Sequence, residues 1–331
     1  MGRRVRAGAA AVWLGLLLSL RALGAGPETL VPVGRTVGLE LETDGVYVVG
    51  FDDRETSPAQ AAGLEIGDRV LAADGVPLDR AEDLRQAVAE AGGEAVVLDV
   101  ERNGRALQVA VRPETQDGSL RLGLQIRDRI AGLGTLTFYD PETGLFGALG
   151  HGVSGGGETP LAIRGGQAAE TAVTDVRRGE AGTPGSLLGP AAGGEALGTV
   201  EQNTDRGLFG HLAGSVPAGE AVPLADREEV VLGPAEIWCC VEGSEPQSYS
   251  VELVAVRLDP DQCRDLRLRV TDPRLLALTG GIVQGMSGSP ILQNGKLVGA
   301  VTHVLVRDPT EGYGILIEHM LEACNQTALA A

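Results

Sequence analysis

From residue 120 almost to its end, the chain is a succession of short apolar runs broken by Gly, Pro and Asp. Residues 120–126, 134–139, 147–150, 161–163, 229–232, 237–242, 249–257 and 266–270 are such runs, and no stretch keeps a 3.6-residue apolar period until 317–323. Runs of this length and punctuation read as strands, and many of them in series close into a barrel or pack as a sandwich. The 49 glycines and 3% aromatic content fit a turn-rich, mainly β protein better than a helical bundle. The 331 residues leave room for two domains with cores of their own.

A formal charge of −18 argues against nucleic acid as a partner, because no face could neutralise a run of phosphates. Residues 1–26 read as a targeting segment: Arg3, Arg4 and Arg6 precede an apolar stretch that ends at the small residues Ala22-Leu23-Gly24-Ala25. That stretch is about 14 residues, short of the roughly 20 that cross a bilayer, which favours a cleaved signal over a retained membrane anchor. Either way the body of the protein is exported. Cys239, Cys240, Cys263 and Cys324 show no Cys-x-x-Cys spacing, so no metal site is expected. Export permits a disulfide, adjacent Cys239 and Cys240 do not easily bond each other, and the pairing stays open.

The most chemically suggestive stretch is Gly280-Gly-Ile-Val-Gln-Gly-Met-Ser-Gly-Ser-Pro-Ile-Leu292. A glycine-flanked turn between apolar segments exposes one hydroxyl, Ser287. It also leaves the backbone N–H groups of Gly285 and Ser287 free to converge as an oxyanion hole, the pairing that acyl transfer requires. Position 289 is Ser and strand-like residues follow, with an Asn294-Gly295 turn, so this is not the strand-to-helix elbow of α/β-hydrolases. A nucleophile between two strands suits a β-barrel serine peptidase. A serine needs a base, and His151, between glycines in Gly147-Ala-Leu-Gly-His-Gly-Val153, has room to meet both substrate and serine. It ranks ahead of His303, while His211, His303 and His319 look like packing or surface positions. The base needs an orienting carboxylate, for which Asp272 and Asp175 are the candidates. Asp272, which precedes a proline, is equally well explained as a turn residue.

Upstream, Ser57-Pro-Ala-Gln-Ala-Ala-Gly-Leu-Glu-Ile-Gly-Asp68 starts a short helix with Ser57 as cap and Pro58 at its first position. Asp79 is expected to cap a second helix over 80–90, and a hairpin should turn at Asn103-Gly104. This order resembles a PDZ domain of the bacterial protease type, here over 30–113. The resemblance implies that Val37, Gly38 and Leu39 form the carboxylate-binding loop, with a peptide C-terminus adding as a strand to the sheet edge.

Three further runs carry a second resemblance: Leu136-Thr-Phe-Tyr-Asp-Pro-Glu-Thr-Gly144 with Ala148-Leu-Gly-His-Gly152, then Thr271-Asp-Pro-Arg-Leu-Leu276, then Thr279 to Pro290. Together they resemble the SpoIVB peptidase family of sporulation proteins. The resemblance implies a chymotrypsin-like double β-barrel over 114–331 following the PDZ domain. It implies Ser287 as nucleophile, His151 as base and Asp272 as acid, with no cofactor. It also implies a protease exported from the forespore into the intermembrane space that cleaves itself. Such a protease then acts on a membrane-protein complex restraining an intramembrane metalloprotease, which releases a late mother-cell sigma factor. The alternative is a non-catalytic exported adaptor in which the PDZ domain alone does the work.

Overall fold

The computed structural model describes residues 27–53, 57–155, 159–213, 219–259 and 262–328. The N-terminal targeting segment lies outside the described residues.

The chain opens with β1 (Thr29–Pro32) and β2 (Thr36–Phe51), then α1 (Pro58–Ala61), β3 (Arg69–Ala73), β4 (Val76–Pro77) and α2 (Ala81–Glu90). Next come β5 (Val96–Arg102), β6 (Arg105–Val111), β7 (Glu114–Gln116), β8 (Ser119–Arg121), β9 (Leu124–Tyr139), β10 (Leu145–Ala148) and β11 (Ile163–Glu170). They are followed by β12 (Asp175–Arg177), β13 (Ser186–Leu188), β14 (Ala196–Thr204), β15 (Gly207–Leu212) and β16 (Val222–Pro223). The last third holds β17 (Gly233–Cys239), β18 (Gln247–Asp259), β19 (Arg264–Val270), α3 (Pro273–Thr279), β20 (Pro290–Gln293), β21 (Lys296–Val304), β22 (Glu311–Leu316) and α4 (Ile317–Ala328).

Two closed barrels result, and the molecule is mainly β as the punctuation demands. In the first, β2 pairs with β9, β9 with β10, β10 with β15, β15 with β14, β14 with β11, and β11 returns to β2. The second runs β17-β18-β19-β22-β21-β20 and closes on itself. Each barrel is filled by the inward half of its alternating strands. Val37, Leu39, Leu41, Leu136, Phe146 and Leu208 fill the first, and Ile237, Leu253, Leu268, Ile291, Val298 and Val301 the second. A third cluster, with Phe138, Phe209, Ala300, Ile315 and Met320, brings residues of both barrels together with α4. Helix α4 is pinned at its start by Asp265, whose buried carboxylate accepts from Leu316 N–H at 2.8 Å and meets His319 Nδ1 at 2.8 Å.

The PDZ module is an insertion in the first barrel, which corrects the expected boundaries. At sixteen residues each, β2 and β9 are far longer than a small barrel needs, since such a strand runs roughly 50 Å. Their inner halves pair in the barrel, from Thr36↔Thr135 to Glu42↔Arg129, and beyond a register shift their outer halves pair again from Tyr47↔Arg127 to Phe51↔Leu124. The outer halves carry β3, β5 and β6, with α1 and α2 packed on a separate core of Val46, Val48, Leu64, Leu84, Val88, Val100 and Val111. Residues 30–43 therefore belong to the barrel region, and 114–127 to the module.

Within the module, Ser57 caps α1 by accepting from Gln60 N–H at 3.2 Å. Asp68, fully covered, is held by Arg102 Nε at 2.6 Å and accepts from Glu65 N–H at 2.9 Å, which explains the Gly-Asp pair in the motif. Asp79 does not cap α2. Asp83 reaches back to the N–H groups of Asp79 and Arg80, and Asp128 of β9 accepts from Ala81 N–H. The Asn103-Gly104 turn forms as expected, with φ of 51° and 73°. The four cysteines are free and buried.

Candidate active site

Ser287 sits in the loop between α3 and β20, where the second barrel faces the first. Two glycines make the turn: Gly285 at φ 98° and Gly288 at φ 96°. A Cβ on Gly288 would fall 2.0 Å from Thr135 O, so only glycine lets this loop reach β9. Thr135 grips the loop twice, donating its N–H to Ser287 O at 2.9 Å and its Oγ1 hydroxyl to Gly285 O at 2.8 Å. Met286 is fully buried beneath, and its carbonyl accepts from Ser289 N–H and Ser289 Oγ. Among the described residues, the N–H groups of Gly285 and Ser287 donate to no protein acceptor. That leaves both expected oxyanion donors unspent.

His151 follows β10 directly, on the first barrel. Its loop is held from the β14–β15 turn. Asn203 Oδ1 accepts from Val153 N–H at 2.9 Å, while its Nδ2 donates to Val153 O at 2.8 Å and Leu161 O at 2.9 Å. Gly152 N–H donates to Asp205 O. Burial pushes the His151 pKa below its ordinary 6.5, with a hydrogen bond between Nδ1 and Gly152 O at 2.9 Å opposing the shift. A neutral imidazole is what a general base needs to be.

His303, set aside on sequence grounds, lies against His151 with ring centroids 4.7 Å apart and planes inclined by 32°. His303 is an exposed residue, yet the atoms packed around its ring are the chief cause of a pKa of about 4, with His151 and Arg264 also opposing a charge. Its neighbour Thr302 presents a carbonyl that accepts from Ser287 Oγ at 2.6 Å. The serine hydroxyl is thus parked on β21 rather than on His151. Past Ala300, β20 no longer pairs with β21: Val301 still bonds Gly288 and Ser289, and from Thr302 to Val304 no described strand pairs with this edge.

The expected acid is elsewhere. Asp272 caps α3, accepting from Arg274 N–H at 2.8 Å, and its carboxylate is gripped by the Arg274 side chain at 2.8 Å and 3.1 Å and by Ser250 N–H at 3.3 Å. The Arg274 guanidinium is the main cause of a pKa of about 2, which is the signature of a structural ion pair. Asp175 is exposed on β12 and accepts from Val176 N–H. Among the described residues, no carboxylate is hydrogen-bonded to His151.

Val37, Gly38 and Leu39 are likewise not a ligand loop. They pair with Glu170, Ala169 and Ala168 on one side and with Gly134, Leu133 and Gly132 on the other, in mid-barrel. The alternation read as a PDZ edge is the alternation of a barrel strand. The open groove of the module lies between Leu84 and Val88 of α2 and residues 123–127, with a volume near 1110 Å³. Among the described residues, no strand pairs with the β9 edge on the groove side. The sequence signal was present in Leu122-Gly123-Leu124, an apolar–Gly–apolar step at the head of an alternating strand.

Comparison with known proteins finds matches to both modules. A family model described as SpoIVB peptidase S55 matches residues 118–321, and a PDZ domain model matches 54–102. The zinc metalloprotease RasP of Shouchella clausii is 37% identical over 108 residues, 29% of this chain and 25% of its own. The regulator of sigma-E protease RseP of Escherichia coli is 29% identical over 102 residues, 31% of this chain and 22% of its own. The chain thus spans about a quarter of the length of these curated relatives, and the RseP-type matches fall on the PDZ region. The PDZ domain of an SdrC-like protein from Listeria monocytogenes matches 26% of this chain and 90% of that one at 22% identity, with a TM-score of 0.23. A β-rich double barrel with a PDZ module, matched over most of its length by one peptidase model, belongs to the SpoIVB peptidase S55 family.

Proposed function

We propose that Ser287 is the nucleophile and His151 the general base of an exported serine endopeptidase. The observation that supports it most is the loop clamped by Thr135, in which Ser287 stands beside two unspent N–H donors at the barrel junction, with neutral His151 on the facing barrel. A substrate strand lies along the free edge of β21, and its N–H takes over Thr302 O. That frees the Ser287 hydroxyl, which turns to His151. The base accepts the proton as Oγ attacks the scissile carbonyl, the oxyanion meets Gly285 and Ser287 N–H, and His151 protonates the leaving amine. Water then hydrolyses the acyl-enzyme. No cofactor enters these steps. In place of a carboxylate, the Asn203 clamp holds the loop that carries His151, and the His303 ring lies against its imidazole.

The PDZ groove, between α2 and the free edge of β9, takes a peptide by strand addition. Its placement between the first two barrel strands couples occupancy to the barrel itself. The resemblance to sporulation peptidases supports the wider reading. In it, the protein is exported across the forespore inner membrane, cleaves itself, and cuts membrane-associated regulators that restrain an intramembrane metalloprotease.

The test is to follow purified residues 27–331 and the Ser287→Ala form over hours by intact mass. Fragmentation of the native form alone supports self-cleavage by Ser287. Stability of both, with no fluorophosphonate labelling of either, overturns the peptidase assignment in favour of a PDZ adaptor.

A further inference from the structure

Between β11 and β14 the chain leaves the first barrel, crosses to the second and returns. Its hairpin, β12–β13, lies against the nucleophile loop. Leu187 N–H donates to Gln284 O at 2.8 Å and Gln284 N–H donates to Gly185 O at 2.9 Å, so Ser186 and Gln284 form a parallel bridge. The Leu187 side chain is buried in the second-barrel core and rests on Gly285, where an added Cβ would meet it at 3.0 Å. Further anchors run along the hairpin: Gly179 N–H to Thr279 O, Gly182 N–H to Val306 O, and the Arg178 guanidinium to Ala277 O.

The peptide unit from Gln284 to Gly285 carries one of the two oxyanion donors. It is trans, like every described peptide in the chain, so its C=O and N–H point in opposite directions. Whatever holds Gln284 O therefore sets where Gly285 N–H points. The second donor, Ser287 N–H, is set from within the loop, because Met286 O is held by Ser289. Thr135 holds the carbonyls of Gly285 and Ser287, which belong to the peptide units that follow those residues, so it leaves the Gln284–Gly285 unit to the hairpin. Without the hairpin bond, that unit is free to rotate and turn a carbonyl into the oxyanion site.

We propose that Leu187 is a positioning residue for the peptidase reaction, and that its backbone N–H, presented by the β12–β13 hairpin, aims the oxyanion donor of Gly285. The proposal rests on the reading of Ser287 as nucleophile. Since the donor acts on charge that develops only in the transition state, the consequence falls on kcat and leaves KM alone. Docking of the hairpin becomes a condition for activity, even though no hairpin side chain touches the reacting atoms.

The test replaces the Leu187 amide by an ester, inserting leucic acid at 187 of the full chain by nonsense suppression. This removes the N–H and keeps the side chain. Hydrolysis of p-nitrophenyl butyrate gives kcat and KM, and thermal melting reports the fold. The expected result is a loss of kcat on the order of 10²-fold, with KM and Tm little changed. Glycolic acid at 285, which removes the donor itself, causes a similar loss, and the double ester loses no more than the larger single loss. Leu187→Ala, which keeps the N–H but removes packing from Gly285, lowers Tm and loses less kcat than the ester. The proposal is overturned if the 187 ester retains kcat, if the 285 ester retains it, or if Leu187→Ala loses as much as the ester. Hydrolysis by Ser287→Ala at the native rate overturns the nucleophile assignment instead, a distinct result.

Discussion

At the residue scale, the proposed base His151 is tuned by burial, with no carboxylate hydrogen-bonded to it among the described residues. Burial holds the His151 pKa below 6.5, which favours the neutral form a base needs. The acid limb of kcat/KM is accordingly expected below pH 6.5, a shift that a pH–rate profile reads directly. Asp272 behaves oppositely. Its folded pKa, about 2, is depressed from 3.8 mainly by the Arg274 hydrogen bond, so it stabilises the fold above about pH 4 and that stability is lost as pH falls through 2. Asp272→Asn, which can still cap the helix but loses the ion pair with Arg274, should lower Tm by the equivalent of about 1 kcal/mol while avoiding the ~10⁴-fold rate loss expected of a triad acid. A rate loss of that size with an unchanged Tm would restore Asp272 to the triad. Ser287 and His151 were legible because glycines bracket both, marking turns that bring a side chain and backbone donors close to a ligand. Asp272 misled because an Asp before Pro-Arg has the same appearance whether it orients a histidine or caps a helix.

At the scale of elements, the site is held by two devices that carry no motif. The Asn203 side chain at the end of β14 makes three hydrogen bonds to the loop segments around His151, to Val153 N–H, Val153 O and Leu161 O. Asn203→Ala should reduce kcat by roughly 10- to 100-fold through a displaced imidazole. It should also cost about 1–3 kcal/mol of stability for the backbone groups left unpaired. Steady-state kinetics and a denaturant melt on the same sample separate the two effects, and an unchanged kcat would remove Asn203 from the account. The β12–β13 hairpin is the second device. Its bonds to Gln284 are backbone bonds between residues far apart in the chain, so residue types gave no sign of them. His303 was missed for a related reason. In Val301-Thr-His-Val304 it alternates outward on a strand, and only the packing of one barrel on the other brings that face to His151.

At the scale of the whole molecule, the PDZ module grows out of the barrel on two shared strands. The order of the module was readable from Ser57 onward, and the barrels were readable as a class. The insertion was not, because the alternation of residues 36–41 suits an edge strand of one sheet as well as a wall strand of another. Cutting the chain at the boundary that composition favours should therefore fail. Residues 114–331 lack β2, the strand that closes the first barrel, and should not yield a protease-resistant, labelling-competent peptidase. Residues 44–128, which keep both ribbon halves, should fold alone with the core of Val46, Leu84, Leu98 and Val111 intact. Circular dichroism and limited proteolysis of the two fragments check this. An active 114–331 fragment would mean the module is a separate N-terminal domain after all.

The central claim is that the glycine-bracketed loop clamped by Thr135 carries the nucleophile and is served by His151. The most direct measurement is peptide mapping by mass spectrometry after reaction with a fluorophosphonate. The account predicts a single adduct on Ser287, abolished by Ser287→Ala and slowed by orders of magnitude in His151→Ala, with labelling retained in Asp272→Asn. An adduct on another serine, or labelling of Ser287 at an equal rate when His151 is removed, would contradict it.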